Sequence, residues 1–397
     1  MEKITFVIPS RNNLEFLKLS YQSIRNLIHI HDILILDDYS IDGTKEWLES
    51  LQDDNLITYY NPGPSRIGIV GMFDKGIELA RTDIIFAFHA DMIAGPSLDI
   101  NIVKHIKPNT VVCATRIEPP LHPPGPEKIT QDWGNEPIDI NFNTIMNSIG
   151  HYERVNKDKA TEGIFAPWCM YKSDYLAVGG HDELFAPQSK EDSDLFNRFV
   201  LNGYNVIQSW DALVYHFTSR GSRFNKYAGG DTNKNSNEWI YTTTRNGKEF
   251  IRKWGHFVKH DELMKPIIPH KRNIAFVMKN GNLPLLQALE PWCDRIYTEE
   301  RFGIGRLQDY IEQEQSNTKF DLRKRVLTID KNYPEGENDV VVVFDANRVT
   351  QQTFELIQNI SDIVTDTNDT GEFEIDCLTI MINSLETYEH NLIKVEK

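Results

Sequence analysis

From Ile4 to Ile117 two hydrophobic patterns alternate. Short apolar runs (ITFVIP, DILILDD, LITYYN, DIIFAFHAD, TVVCATRI) have the length and the β-branched and aromatic content of buried strands. Between them apolar residues recur at helical spacing. Residues 13–28 place Leu14, Leu17, Tyr21, Ile24 and Leu27 on one side; GTKEWLESL follows, then GIVGMFDKGIELA in spite of its three glycines. Apolar strands separated by helices predict an α/β fold, a mostly parallel sheet with helices on both faces. Ligands of such sheets bind at the carboxyl ends of the strands. That rule singles out Pro9 and Ser10, Asp37 and Asp38, and His89, Ala90 and Asp91.

Residues 118–137, opening EPPLHPPGP, predict a loop, equally readable as a substrate lid or a surface excursion. Sheet signals resume with GIFAPWCMYK and NVIQSWDALVYHF, the latter ending near His216. Between them KEDSDLFNRFVLNGYNV predicts a helix that buries Leu195, Phe196, Phe199 and Val200, with Gly203 beyond its end. Acids in its first turn are favoured by the helix dipole by roughly 0.3–1 kcal/mol each. Asp194 and Arg198, four apart, are expected to pair on the surface for about 0.2–0.5 kcal/mol. Asp192 precedes Leu195 and Phe196 by three and four and shares their face, where a carboxylate needs a partner or a task. Trp168 and Trp210 fit sugar stacking, and fit core packing better. Near 266–269 the pattern restarts. NIAFVMK, DRIYTEE, RVLTID, DVVVVFD and DIVTDT predict strands with helices between most of them, in a smaller α/β domain without GxGxxG or GxxxxGK[ST]. The expected division is 1–265 and 266–397.

A net charge of −16 over 397 residues argues against nucleic acid held by a broad basic surface, while leaving room for a nucleotide. Four cysteines without CxxC or metal-ligand spacing predict reduced thiols and a cytoplasmic chain. No signal-peptide layout opens the sequence, and no apolar run approaches the roughly 18 residues that span a bilayer.

Chemistry-bearing residues follow a definite order. ILDDYSIDGT puts Asp37 and Asp38 at a strand end, where acids accept hydrogen bonds from a base or ribose; Asp42 or Ser40 accounts for helix capping there, the pair does not. FAFHADM ends a strand on Asp91, and ALVYHF ends one on His216. Together with FVIPSRNN and GGHDELFAPQSKEDSDLFNR, these stretches resemble the GT-A glycosyltransferases, chiefly the inverting family 2, over residues 3 to about 225. LDDYSIDGT is similar to that family's Asp-Asp-x-Ser-x-Asp-Gly-Thr signature, and FHAD stands in place of its Asp-x-Asp motif. The acidic helix also resembles that of β-1,4-galactosyltransferases. His89 stands where the first acid of the motif is usual, and Asp74 where many members have Asn. There is no Gln-x-x-Arg-Trp, which argues against a processive synthase.

The resemblance implies a metal-dependent inverting transferase that moves a sugar from a nucleotide diphosphate donor, UDP-sugar first, to a hydroxyl of a glycan, lipid-linked or protein acceptor. Pro9, Ser10, Asp37, Asp38 and Ala90, with Arg66 as a weaker candidate, would hold the nucleotide. Asp91 and His216 would bind Mn²⁺ or Mg²⁺, which suits oxygen ligands with one imidazole. Asp192 would be the base and Glu191 its helper or an acceptor contact. Residues 219–230, with Arg220, Arg223 and Lys226, would order over the diphosphate or form a solvated loop. The C-terminal domain would dock an acceptor, brace the first domain or form a homo-oligomer contact. The rival readings are a sugar-nucleotide nucleotidyltransferase and a non-catalytic nucleotide-sugar or glycan-binding protein, the latter kept open by His89.

Overall fold

A computed structural model describes residues 2–302, 305–329 and 337–396. The chain forms two compact units, one of residues 1–243, 260–267 and 393–397, the other of 244–259 and 268–392.

The first unit holds strands β1 (Ile4–Ser10), β2 (Asp32–Asp37), β3 (Leu56–Tyr60), β4 (Ile84–Ala87), β5 (Met92–Ala94), β6 (Thr110–Glu118), β7 (Ile129–Thr130), β8 (Ala160–Thr161), β9 (Trp168–Tyr171) and β10 (Asn205–His216). Its helices are α1 (Leu14–Arg25), α2 (Thr44–Ser50), α3 (Gly68–Leu79), α4 (Leu98–Val103), α5 (Phe142–Val155), α6 (Lys172–Ala177) and α7 (Glu191–Leu201). Helix α8 (Asn237–Trp254) starts in this unit. The strands form one sheet in the order β3-β2-β1-β4-β9-β6-β10-β5, with β7 on β6 and β8 on β10. Strands β1 to β4 pair in parallel, as do β6 and β10, whereas β9 and β5 run antiparallel to their neighbours. This is the mixed α/β sheet that the periodicity predicts.

Alternation along β1 explains the two-sided core. Ile4, Phe6 and Ile8 pack with Leu17 and Ile24 of α1, while Val7 packs with Met72, Phe73 and Ile77 of α3. Gly76 lets α3 lie close to the sheet: a Cβ there would stand 2.4 Å from Val7. DIIFAFHAD is strand only to Ala87. The chain then turns, with Met92 N–H donating to the His89 carbonyl (3.3 Å), and β5 returns antiparallel to β10. Four helices, α4, α5, α6 and α8, escape the hydrophobic spacing. In α5 only Ile145 and Ile149 give an apolar stripe, and Asn141 caps it by accepting from Thr144 N–H (3.0 Å). The 118–137 stretch starts on the last residue of β6, contains β7 and ends where a 3₁₀ turn, Pro137–Asp139, begins.

The second unit carries its own six-stranded sheet. Val326–Thr328, Arg295–Thr298, Ile274–Lys279 and Val340–Asp345 lie side by side in parallel; Leu378–Ile382 and then Gly371–Ile375 add antiparallel strands. DIVTDT is not a strand. It lies in the helix Ile360–Thr367, where Ile360 and Val364, four apart, face the core. The sheet edge comes instead from the hairpin 371–382. Asp330, the last residue of the predicted strand RVLTID, lies outside the described residues. Among the described residues no helix is long and apolar enough to cross a membrane.

Candidate active site

A cavity of about 250 Å³ opens beside the carboxyl ends of β1, β2 and β4, as the parallel sheet predicts. Pro9 and Ser10, Asp38, Arg66, Ala90 and Asp91, Glu191 and His216 all line it. Of the nucleotide-binding candidates, Asp37 does not; it lines a separate cavity with Tyr39, Lys45 and Tyr60. Asp192 is not among the lining residues either.

Pairing of β5 with β10 sets His216 against Met92 and lets Phe217 N–H donate to the Asp91 carbonyl (3.0 Å). One possible ligand atom each from His89, Asp91 and His216 then lies within 4.8 Å of the others. His216 Nε2 is 3.5 Å from Asp91 Oδ1, while its Nδ1 is bonded to Glu118 Oε1 at 2.8 Å. The Glu118 carboxylate thus leaves Nε2 as the nitrogen that faces Asp91, the arrangement by which carboxylates orient metal-binding imidazoles. Burial opposes ionisation of Asp91 and Glu118, but His216 beside the first, and Arg116 with His216 beside the second, hold both well below the usual carboxylate range. Burial also opposes charge on His216, yet Asp91 and Glu118 push it up to about 9. A field that favours a proton there favours a divalent cation in its place. Two imidazoles and a carboxylate are a donor set for a first-row divalent cation, a class that includes Mn²⁺. His89, which stands where the first acid of the motif is usual, belongs to this cluster as a third possible donor; Glu118 escaped the sequence because it precedes two prolines and looked like loop.

At the other end, Asp38 accepts from Ile67 N–H and Gly68 N–H (each 2.8 Å) and from Asn61 Nδ2 (2.7 Å). Its carboxylate therefore fixes the entry to α3. Gly68 has φ +87 and a Cβ would stand 2.4 Å from Pro187, so this turn admits only glycine. Arg66 is bonded to Glu238 and to Gln188 Oε1 (3.3 Å). Ser10 Oγ is buried without a partner. Asp37 Oδ1 is likewise unpartnered, and burial raises the carboxyl above its ordinary value. Trp239, at the start of α8, closes part of the wall.

Helix α7 departs from its expected facing. Asp194 and Arg198 are both fully buried, not a surface pair: Arg198 Nε donates to Asp194 Oδ2 (2.9 Å), and its terminal nitrogens donate to the carbonyls of Val178 (2.8 Å) and Gly180 (2.7 Å). The pair thereby ties α7 to the Gly179–Gly180 turn. Glu191 is buried in the cavity wall with Oε2 unpartnered, and burial, then the charge of Asp192, raise its carboxyl to about 8. Asp192 keeps 34% of its side chain exposed, 3.9 Å from Nε2 of the buried His181. Trp168 and Trp210 belong to the core: the first stacks on Tyr175, the second donates to Thr161 Oγ1 (2.8 Å).

Residues after β10 wrap the cavity. Ser219, Gly221 and Ser222 line it, and Arg220 N–H donates to Asp91 Oδ2 (2.8 Å). Arg220 itself is buried against Phe16 and Phe224 and pairs with Glu136 (2.9 Å) of the proline-rich stretch.

Residues 5–178 match the family model described as glycosyl transferase family 2, and residues 143–225 match that of chondroitin N-acetylgalactosaminyltransferase. No curated protein matches the chain. Similar solved structures include GalNAc-T7 with UDP, GalNAc and Mn²⁺ (12% identity, TM-score 0.44, covering 64% of this chain and 51% of that one). Another is the mannosyltransferase PcManGT from Pyrobaculum calidifontis with GDP-Man and Mn²⁺ (17% identity, TM-score 0.40, 64% of each chain). The chain thus spans less than two thirds of either structure's length. Between residues 5 and 225 this chain matches two overlapping glycosyltransferase family models, the longer of them that of family 2.

Proposed function

We propose that the first unit is a metal-dependent inverting glycosyltransferase that takes a sugar from a nucleotide diphosphate donor, UDP-sugar first. One observation carries this reading: His89, Asp91 and His216 cluster in the same cavity that Ser10, Asp38 and Arg66 line at one end and Glu191 walls. Ser10, with its free hydroxyl, and Arg66 hold the nucleoside; Asp38 shapes the turn that follows Arg66. Asp37 lies outside the lining of this cavity, beside Asp38 at the end of β2.

His89, Asp91 and His216 would hold a divalent cation, which when bound would offset the negative charge that develops on the leaving diphosphate. Glu191, protonated at neutral pH, donates a hydrogen bond to a sugar hydroxyl. Asp192, partly open to solvent, takes the proton of the acceptor hydroxyl. The acceptor oxygen forms its bond to the anomeric carbon as the bond from that carbon to the diphosphate oxygen breaks, and the diphosphate leaves with the electron pair. Attack opposite the leaving group inverts the centre. His89, the residue that kept a non-catalytic reading open, stands among the metal donors and no longer favours it.

The match over residues 143–225 makes UDP-N-acetylgalactosamine the first donor to try. The experiment follows its Mn²⁺-dependent hydrolysis, water standing in for the acceptor, with NMR of the first sugar anomer released. Release of the β anomer from the α-linked donor is expected. Release of the α anomer contradicts inversion, and failure of every nucleotide sugar to turn over contradicts the transferase reading.

A further inference from the structure

His181 lies in the GGHDE segment, fully buried, with its ring stacked on Phe73 (centroids 5.6 Å apart) and tilted against Trp168. Its Nδ1 is 2.6 Å from the Tyr175 hydroxyl, and that hydroxyl is bonded to Asp74 Oδ1. Its backbone N–H donates to Asp74 Oδ1 (3.0 Å) and Tyr175 Oη (3.1 Å).

Proton counting orders this chain. The Tyr175 hydroxyl donates its single proton to Asp74 Oδ1. Tyr175 oxygen must then accept from His181, which fixes a proton on Nδ1. That leaves Nε2, which is buried without a hydrogen-bond partner and stands 3.9 Å from Asp192 Oδ1, at ion-pair distance. The chain runs Asp74, Tyr175, His181, Asp192, across helices α3, α6 and α7.

We propose that His181 is a positioning residue for Asp192: Asp74 and Tyr175 clamp its ring so that Nε2 holds the Asp192 carboxylate charged and in one orientation while that carboxylate takes the acceptor proton. This rests on the reading of Asp192 as base. The groups facing His181 are Asp74 from α3, Tyr175 from α6, and Glu191 and Asp192 from α7, with Arg198 of α7 bonded to the adjoining Gly180 carbonyl. Burial pulls the imidazole down, but Asp192 and Asp74 outweigh it and raise it to about 9.

The test is ¹⁵N NMR of the histidines in the wild type, Asp192→Asn and Asp74→Asn, alongside UDP release from UDP-N-acetylgalactosamine by the same proteins and His181→Phe. Asp74→Asn is nearly isosteric and preserves the packing. The wild-type His181 is expected to stay protonated through neutral pH, with both Asn variants moving its midpoint down toward 6.5. His181→Phe is expected to lower kcat about tenfold with KM for the donor unchanged. Asp74→Asn should bring the alkaline fall of kcat to lower pH. An unmoved His181 midpoint in Asp192→Asn overturns the proposal. So does a His181→Phe enzyme that merely melts earlier while keeping the wild-type kcat and pH profile. If Asp192→Asn retains turnover, the base assignment falls instead, and the NMR still reports whether the two residues are coupled.

Discussion

Glu290 of the second unit and Glu191 of the first are both buried glutamates, and they are provided for in opposite ways. Glu290 accepts from Arg252 (2.6 Å), Arg325 (2.7 Å) and the Tyr310 hydroxyl (3.2 Å), and Arg252 also pairs with Glu249 and Glu314. Burial pushes its carboxyl up, yet the two guanidiniums hold it below its ordinary value. Glu191 has no arginine, keeps Oε2 unpartnered and is raised to about 8. One cluster uses up its hydrogen bonds within itself and fastens helices together. The other leaves donors and acceptors facing a cavity, a cost to the fold that a bound ligand would offset. A buried charge by itself therefore says little about function; what its partners leave unsatisfied says more.

That contrast breaks most visibly at Asp192. Asp192→Asn is expected to cut donor turnover by about 10²–10⁴-fold, with nucleotide affinity unchanged; a variant that keeps its rate removes Asp192 from the chemistry. Glu290→Ala should do the reverse. It removes the carboxylate that two buried arginines share and destabilises by about 3–5 kcal/mol, read as a lower denaturation midpoint, with UDP affinity intact. If nucleotide binding is lost as well, the two clusters are not separable.

A smaller effect sharpens the metal cluster. Glu118→Gln removes the carboxylate behind His216 and should weaken Mn²⁺ binding about 10–100-fold, measured by calorimetry with the apoprotein. Unchanged affinity makes Glu118 a structural partner of Lys128 and Arg116 alone. The smallest effect concerns Glu191. Its folded form binds a proton more tightly than the unfolded chain, so this contribution to stability is fully present below 4.5 and is lost as pH rises toward about 8. Melting temperature should fall across that window, and Glu191→Gln, which copies the protonated acid, should flatten the fall. An identical slope in both proteins contradicts a protonated Glu191.

Much of the first unit could be read from the sequence because its signals are local. Strands with continuous apolar runs announced a parallel sheet, and its strand ends brought Ser10, Asp38, Asp91 and the neighbourhood of His216 forward at once. Residues whose meaning depends on distant partners stayed hidden. His181 reads as one histidine in a glycine turn until Asp74, 107 residues earlier, stands beside it. Glu118 gains its part only when β6 is paired with β10. Spacing alone made Asp194 and Arg198 a surface pair, because nothing local shows that the arginine is bound for the carbonyls at 178 and 180. DIVTDT misled through its β-branched residues: the four-residue interval from Ile360 to Val364 already fits a helix, and the strand composition overrode it.

The most direct measurement is calorimetric titration of UDP into the wild type and Asp91→Ala, each with Mn²⁺ and with EDTA. The structure predicts binding that needs both the metal and Asp91, with affinity lost together when either is removed. Binding of equal strength in all four conditions, or in none, would contradict a nucleotide held through the His89, Asp91 and His216 cluster.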